Sequence, residues 1–349
     1  MLEKIFLTML LFVPVTLVAH FLNLSPLLVF FLSAVAIVPL AKFIGEATEE
    51  LAVHTGPALG GLLSATFGNA TELIIAIFAI RAGLVEVVKA SITGSIIGNL
   101  LLVLGMSIFF GGMKYKKQKF NKTLAMASAS TLLLAVIALI IPAIFVITAP
   151  EAGSKIIEEL SVAVSFLMIG VYLASLLFSL RTHKHLYAAE VGKEEADWSL
   201  AKSLVILIVA TLAVAWMSEI LVGAIEPAVA VLGWTDLFIG VIFIAIIGNA
   251  AEHTSAITMA VKNKMDLTLQ ISIGSATQIA MFVTPVLVLI SVFFPTQMSL
   301  IFNTFELVVI LFSVFIANLI IQDGETNWFE GLQLLVAYGI IAVAFFFHP

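Results

Sequence analysis

The chain consists of long apolar stretches separated by short breaks that carry charged residues, proline or glycine. A membrane-spanning helix needs about 20 mostly apolar residues, and eleven stretches come close to that length. The longest break, 181–202, is too short for a separate soluble domain. The pattern therefore predicts an all-α integral membrane protein with eleven transmembrane helices. Their expected ranges are 5–22, 27–45, 56–81, 85–110, 122–148, 160–180, 203–224, 236–261, 267–294, 299–321 and 328–347.

The amino-acid composition agrees with this pattern and excludes several classes of function. Of the 349 residues, 62% are hydrophobic and 11% are charged, whereas soluble domains are roughly 45–50% apolar and about 25% charged. The net charge of −6 offers no basic face for nucleic acid. There is no cysteine, which excludes thiolate catalysis and cysteine-based metal sites.

Lysine and arginine are distributed unequally between the two sides that eleven spans would define. With the N-terminus inside, thirteen of them fall in cytoplasmic segments, and only Arg81, Lys89 and Lys155 fall outside. Cytoplasmic segments of membrane proteins carry the excess of positive charge. The sequence thus predicts a cytoplasmic N-terminus and an external C-terminus.

Two segments of the chain repeat each other at an offset of 180 residues. Gly68-Asn69-Ala70-Thr71-Glu72 returns as Gly248-Asn249-Ala250-Ala251-Glu252, and Gly94-Ser95 returns as Gly274-Ser275. Matching apolar residues would mean little in a membrane protein, but matching polar residues in one register indicate an internal repeat. Without gaps, ten of 39 positions are identical between 65–103 and 245–283.

The repeat crosses five predicted spans, so its second copy enters the membrane upside down. Spans two to six would form one repeat and spans seven to eleven the other, and the first span would be an extra N-terminal one. The predicted organisation is an extra span at 1–26, a first inverted repeat at 27–180, a cytoplasmic linker at 181–202 and a second inverted repeat at 203–349. Secondary transporters are commonly built in this way, with the binding site near the midplane between the repeats.

Glu72 and Glu252 lie near the middle of their spans, where a charge costs at least about 2.5–3.5 kcal/mol. No lysine or arginine is predicted at the same depth. Each carboxylate must therefore be neutralised by a proton or by a metal cation, and a site that alternates between the two is an exchanger. The polar residues around both acids carry oxygen ligands, which suit a hard ion such as Ca²⁺. Those candidate ligands are Asn69, Asn249, Ser95, Asn99, Ser275 and Gln278.

For the six candidate ligands, the structural alternatives to metal binding are helix capping by Asn69 and Asn249 and interhelical hydrogen bonding by the others.

A second group of polar residues is expected to relay protons or to gate the site. His253 follows Glu252 directly, and Glu219, Glu49 and Glu50 fall in the repeat-related spans seven and two. Helix packing for His253 and a solvated helix end for the paired acids remain open. Glu306, in span ten, has no assigned role.

The motifs Gly68–Glu72 with Gly94–Asn99, and Gly248–His253 with Gly274–Gln278, resemble the two alpha-repeats of the calcium/proton exchangers of the cation/calcium antiporter superfamily. The resemblance implies eleven spans, an inverted five-plus-five core, Ca²⁺ export against protons, and Glu72 and Glu252 as ligands. Sodium/calcium exchangers are similar but have a proline directly before the glutamate of this motif. This chain lacks that proline. The resemblance also implies an acidic helix between the halves, for which Glu190, Glu194, Glu195 and Asp197 are a reduced counterpart.

The function predicted from the sequence is Ca²⁺ export in exchange for H⁺ by alternating access, without a cofactor. A sodium-coupled exchanger or one for Mn²⁺ or Cd²⁺ is the nearest alternative. An enzyme is disfavoured because no His-Glu-x-x-His motif or other catalytic constellation is present. The expected partners are Ca²⁺, H⁺, the lipid bilayer and, as an option, further copies of the chain. About four residues precede the first span, which favours a prokaryotic plasma membrane over a vacuolar or other organellar one.

Overall fold

The computed structural model describes residues 2–183 and 196–348, and these are almost entirely helical. Part of the predicted linker, including Glu190, Glu194 and Glu195, lies outside the described residues. The helices before it are α1 (Leu2–Met9), α2 (Phe12–Phe21), α3 (Pro26–Thr55), α4 (Pro57–Phe67), α5 (Ala70–Arg81), α6 (Val85–Ile97), α7 (Leu104–Lys114), α8 (Lys122–Thr148) and α9 (Ser154–Leu177). The helices after it are α10 (Leu200–Leu232), α11 (Asp236–Phe238), α12 (Ala245–Gly248), α13 (Ala250–Val261), α14 (Met265–Gln278), α15 (Thr284–Ser291), α16 (Thr304–Ile320) and α17 (Trp328–Phe347).

Several of these helices continue into one another through short π-helical segments. The four segments are π1 (Gly98–Val103), π2 (Phe178–Thr182), π3 (Ile239–Ile244) and π4 (Ile279–Val283). π-Helical turns are rare and are frequent at functional sites. Two short strands, β1 (Gln118–Lys119) and β2 (Glu325–Thr326), form an antiparallel pair.

The described residues contain eight helices that are long and apolar enough to cross a membrane. A ninth candidate is the pair Asp236–Gly248 and Ala250–Val261, whose halves meet at a bend of 61°. α16 is apolar but shorter, and α4 and α5 are two short helices within the range of predicted span three. The predicted all-helical membrane fold is thus present, with eight to nine spans identified by length and composition.

Some helices extend beyond the apolar stretches that predict them. α3 continues to Thr55 where the pattern ends at 45, and α10 continues to Leu232 where the pattern ends at 224. In α3, an ion pair between Lys42 and Glu46 joins consecutive turns. Such i,i+4 pairs stabilise helices that apolar periodicity alone does not detect. The acids of the second span consequently lie on the last turns of a continuous helix rather than beyond its end.

Each of the two repeated motifs contains a helix break. Asn69 separates α4 from α5 with φ −112° and ψ 26°, and Asn249 separates α12 from α13 with φ −93° and ψ 15°. The side chain of neither asparagine caps the helix that follows. The capping alternative is therefore wrong for both side chains, and they are left to bond elsewhere.

The packing of the helices brings the two repeated motifs together. α6 packs against π3, α5 against α12, and α14 against π1, so elements from both halves alternate around one centre. The crossing of α6 and π3 depends on Gly94, where a Cβ would lie 2.0 Å from the carbonyl oxygen of Val241. Small residues permit such close approach between membrane helices.

The described end of the linker is fastened to α3. The backbone N–H of Trp198 donates to Glu50 Oε2 at 3.0 Å, and its carbonyl oxygen lies 2.7 Å from Nε2 of His54. The ammonium of Lys202 lies over the indole ring, 4.2 Å from its centroid. The residues that precede α10 are thereby held at the C-terminal end of α3.

Candidate ion-binding site

The six polar residues predicted around the two glutamates form one hydrogen-bonded network between the halves of the chain. Asn249 Nδ2 donates to Ser95 Oγ at 2.8 Å, and Asn99 Nδ2 donates to Asn249 Oδ1 at 2.9 Å and to Ser275 Oγ at 3.0 Å. Each of these bonds joins a residue before the linker to one after it. We call the six residues the amide ring: Asn69, Ser95, Asn99, Asn249, Ser275 and Gln278.

The second half of the amide ring is built around Asn69. Asn69 Nδ2 donates to Gln278 Oε1 at 2.6 Å, and Ser275 Oγ donates to Asn69 Oδ1 at 3.4 Å. Asn69 therefore contacts Ser275 and Gln278, just as Asn249 contacts Ser95 and Asn99. Each asparagine at a helix break is paired with the polar residues of the other half.

Glu72 lies beside the amide ring and is buried, with 8% of its surface exposed. Within residues 2–183 and 196–348, neither of its carboxyl oxygens has a hydrogen-bond partner. The side chain packs against the other helix break, because a Cβ on Gly248 would lie 2.9 Å from Glu72 Cγ and 3.5 Å from Glu72 Oε1. The glutamate of the first motif is thus directed at the second motif.

Glu252 lies close enough to interact electrostatically with Glu72. It is half-buried, and its Oε2 atom is buried without a hydrogen-bond partner among the described residues. Its electrostatic neighbours also include Glu49, which is exposed near the end of α3. Glu72 therefore lies on the enclosed side of the pair and Glu252 on the more open side.

Open space adjoins the amide ring on both halves. A Cβ added at Gly98 or at Gly274 would meet no atom of the described chain within 4 Å. Gly98 precedes Asn99 and Gly274 precedes Ser275, so the space lies next to ring residues from each half. π1 begins at Gly98 and π4 begins directly after Gln278, which places a π-helical segment at the ring in both halves.

The predicted relay and gating residues occupy different positions. His253 is half-buried on α13, one residue after Glu252, and Glu49 interacts with Glu252 as described. Glu50 holds the backbone of Trp198. Glu219 is exposed on α10 and makes no hydrogen bond or ion pair with the described part of the chain. Relay and gating roles for these four residues stay predictions.

Glu306, which sequence reasoning left unassigned, has a structural role in the fold. Its Oε2 accepts from the backbone N–H of Asn303, which completes a capping box at the start of α16. Its Oε1 accepts from Thr93 Oγ1 at 2.9 Å. The spacing Asn303-x-x-Glu306 is a sequence signal for such a capping box, so this role could have been read from the chain.

No cluster of three or more histidine, aspartate or glutamate residues is placed to hold a metal ion within the described ranges. The centre offers two carboxyl groups together with amide, hydroxyl and backbone oxygens. A hard ion such as Ca²⁺ accepts this mixture of ligands.

Comparison with known proteins places this geometry in a family. Residues 25–181 and 202–347 match the family described as sodium/calcium exchanger protein. The chain belongs to the sodium/calcium exchanger family. Among its relatives is a Ca²⁺/H⁺ antiporter of Synechocystis sp., which is 50% identical over 365 residues that cover 99% of this chain and 98% of the relative.

Two further relatives are also described as Ca²⁺/H⁺ antiporters. The Ca²⁺/H⁺ antiporter ChaA of Bacillus subtilis is 47% identical over 340 residues, covering 96% of each chain. A crystal structure of the Ca²⁺/H⁺ antiporter protein YfkE matches with a TM-score of 0.87 at 42% identity, covering 99% of this chain and 100% of that one. The resemblance to the calcium/proton exchangers that the repeated motifs suggest is therefore confirmed.

Proposed function

We propose that this exchanger family member moves Ca²⁺ out of the cytosol in exchange for H⁺, and that Glu72 and Glu252 bind the two ions in turn. The observation that carries the proposal is the pair of neighbouring glutamates from opposite halves, three of whose buried carboxyl oxygens have no hydrogen-bond donor among residues 2–183 and 196–348. The Ca²⁺/H⁺ antiporters among the relatives support the identity of the exchanged ions.

The hydrogen-bond polarity of the amide ring favours a cation as the ligand. Asn99 uses Nδ2 for two acceptors, and Asn249 uses Nδ2 for Ser95 Oγ and the carbonyl oxygen of Ala245. The N–H groups of both amides are thus occupied, whereas Asn99 Oδ1 has no partner in the described chain. Among the described residues, the buried atoms of the ring and of the two glutamates that lack a partner are all oxygens: Asn99 Oδ1, Glu72 Oε1, Glu72 Oε2 and Glu252 Oε2. Such acceptors call for a proton or a metal ion.

Charge balance explains why the two ions would compete. Two bare carboxylates close together in a poorly solvated centre are the costly state. Protons or one divalent cation would each neutralise both groups, so release of one ion requires arrival of the other. Exchange of two protons for one Ca²⁺ would keep the charge of the occupied centre constant. Flux measured under an imposed membrane voltage tests this stoichiometry.

The two halves are proposed to be inverted repeats, with domains at 27–180 and 203–349, an extra span at 1–26 and a linker at 181–202. The two matched family segments, 25–181 and 202–347, support these boundaries. Eleven spans follow if α4 with α5, the bent helix pair of α11–α13, and α16 each count as one span. Reciprocal pairing of Asn69 and Asn249 with the other half supports a pseudo-two-fold relation.

The route to the centre is proposed to run past Glu49. Glu49 is exposed and interacts with Glu252, the more accessible of the two central acids. His253 would assist proton transfer at this side. With the N-terminus in the cytoplasm, as the lysine distribution favours, this mouth faces the cytosol of a prokaryotic cell. The bacterial origin of the relatives from Synechocystis and Bacillus supports the plasma membrane.

The proposal is tested with the purified full chain in proteoliposomes that carry a pH gradient and external ⁴⁵Ca²⁺. The unmodified protein should accumulate Ca²⁺, and both Glu72→Gln and Glu252→Gln should abolish accumulation. Glu158→Gln, which alters an exposed glutamate near the start of α9, is the matched control and should transport normally. Retained exchange in either central variant would refute the site assignment.

A second arm of the experiment separates the coupling ions. A sodium gradient without a pH gradient should drive no Ca²⁺ uptake if protons are the coupling ion. Uptake driven by sodium alone would instead support sodium coupling, and uptake independent of both gradients would indicate a channel. Competition by Mn²⁺ and Cd²⁺ measures the selectivity among divalent cations.

A further inference from the structure

The loops at one end of the helix bundle are tied together and carry most of the lysines of that end. The segment between α7 and α8 is paired with the segment between α16 and α17 through β1 and β2. Gln118 Nε2 also donates to the carbonyl oxygen of Ala260 at 2.8 Å and to Asn263 Oδ1 at 3.0 Å. Three separate loops thereby form one fixed surface.

Seven exposed lysines lie on this surface, which we call the basic end. They come from two loops that are distant in sequence: Lys114, Lys116, Lys117, Lys119, Lys122, Lys262 and Lys264. Of these, Lys114 donates to the carbonyl oxygen of Val261 and Lys117 pairs with Glu325. The remaining five form no ion pair with any residue in 2–183 or 196–348.

The acidic residues near the basic end are engaged locally. Asp266 Oδ1 accepts from the backbone N–H of Asn121 at 2.6 Å, and Asp323 Oδ1 accepts from the backbone N–H of Glu325 at 3.1 Å. Glu330 closes the capping box at the start of α17. The hydrogen bond and the charge of Glu325 raise the pKa of Lys117, which keeps that amine protonated. Seven lysines lie near only four acids, Asp266, Asp323, Glu325 and Glu330, so a surplus of positive charge remains for an external partner.

Exposed apolar side chains lie directly beside these lysines. Met113, Trp328 and Phe329 are all exposed, and the backbone of Trp328 packs against Gly112, two residues before Lys114. α7 ends at Lys114 and α17 begins at Trp328, so both sets of side chains lie at the ends of apolar helices. Aromatic and basic side chains at this level meet the acyl chains and the headgroups of lipids, respectively.

We propose that the basic end binds anionic phospholipid, with its phosphate held by Lys116, Lys119 and Lys122 and its acyl chains against Met113, Trp328 and Phe329. A tendency of lysines to stay on the cytoplasmic side explains their sidedness. This tendency does not explain why two lysine-bearing loops that are distant in sequence are hydrogen-bonded to each other and lie beside exposed aromatic side chains. The proposal concerns lipid binding and stands independently of the exchanged ions.

Trp328 serves as the reporter for a direct test. The full chain carrying Trp198→Phe, Trp216→Phe and Trp234→Phe retains Trp328 as its single tryptophan. It is reconstituted into vesicles of phosphatidylcholine with a minor fraction of phosphatidylglycerol. Brominated acyl chains, which quench indole fluorescence on contact, are placed on one lipid or on the other at equal mole fraction.

Quenching by brominated phosphatidylglycerol should exceed quenching by the matched brominated phosphatidylcholine severalfold, because each lysine near a phosphate strengthens the interaction on the order of fivefold. The excess should fall at high salt. Lys116→Gln, Lys119→Gln and Lys122→Gln together should remove it. Lys155→Gln, which alters an exposed lysine in the first turn of α9 at the opposite end, should leave it unchanged.

Equal quenching by the two lipids in the single-tryptophan parent would overturn the proposal. Retention of the excess in the triple lysine variant would also overturn it, since the lysines would then not be the ligands. Loss of the excess on addition of inorganic phosphate at constant ionic strength would assign the surface to a soluble anion rather than to lipid, against the proposal.

Discussion

The contact between Gly248 and Glu72 allows the position of one carboxyl group to be changed by a single methyl group. In Gly248→Ala, the new Cβ would lie 2.9 Å from Glu72 Cγ and 3.4 Å from Cδ. Ordinary contacts begin at about 3.4 Å, so Glu72 Cγ must move by about 0.5 Å. The neighbour is a flexible side chain rather than backbone, so the fold should accept the change.

A shift of that size exceeds what a calcium site tolerates. Ca²⁺–oxygen distances span roughly 2.3–2.6 Å, and ligand distances in metal sites hold to about 0.2 Å. Changes that disturb ligand orientation typically reduce metal affinity about 10–100-fold. We therefore expect Gly248→Ala to raise the Ca²⁺ concentration for half-maximal uptake at least about tenfold. A proton binds a single oxygen, so proton binding should change less.

The assay is ⁴⁵Ca²⁺ uptake into proteoliposomes at a fixed pH gradient over a range of Ca²⁺ concentrations. Thermal unfolding with and without Ca²⁺ gives an independent measure, because a ligand that binds the folded state stabilises it by an amount that rises with the logarithm of its affinity. Gly223→Ala in α10 is the matched control, since its Cβ would meet no atom within 4 Å in the part of the chain that the structure describes. A folded Gly248→Ala protein with unchanged Ca²⁺ affinity would refute the placement of Glu72 against the second helix break.

Three further predictions concern the packing around the centre. Gly94→Ala places a Cβ 2.0 Å from the carbonyl oxygen of Val241 and should destabilise the protein by about 1–3 kcal/mol in thermal unfolding, whereas Gly170→Ala meets nothing within 4 Å and should not. Asn249→Ala removes three side-chain hydrogen bonds, each worth about 0.6 kcal/mol in a membrane protein. The free energy of unfolding should therefore fall by about 2 kcal/mol, and Ca²⁺ uptake should be defective. Normal uptake would argue against a role for the amide ring. Glu306→Ala removes the acceptor of both the Asn303 backbone N–H and Thr93 Oγ1, and it should cost about 1 kcal/mol of stability per lost hydrogen bond while exchange is retained. Loss of exchange in a stable Glu306→Ala protein would give this residue a transport role.

The helical membrane fold could be predicted from the sequence because apolar runs of sufficient length have few other solutions. The members of the amide ring could also be named, since Asn69 and Ser95 recur at one offset as Asn249 and Ser275, and Asn99 and Gln278 follow each serine within four residues. Their mutual pairing could not be predicted. Repetition shows that Asn69 and Asn249 are equivalent, but only packing shows that each contacts the opposite half.

Helix boundaries were predicted less well where polar interactions extend a helix. The second predicted span ends at 45, yet α3 continues to Thr55 with Lys42 and Glu46 paired on adjacent turns. An ion pair between turns leaves no trace in an apolar window. The contact between Gly248 and Glu72 could not be predicted from the sequence either. A glycine in a helical segment indicates a less stable helix at that point, but it does not identify the side chain that packs against it.

The two halves of the amide ring reach similar contacts with unequal residues. Asn99 and Gln278 are 179 positions apart, one less than the repeat offset, and the longer side chain of Gln278 reaches Asn69 from that shifted position. The direction of the bond is reversed: Asn99 donates to Asn249, but Gln278 accepts from Asn69. Asn99 therefore keeps an unpartnered oxygen, whereas the oxygen of Gln278 is used. The two halves of the ring are consequently unequal, and the unpartnered side-chain oxygen that the ring offers among the described residues comes from the first half of the chain, next to π1.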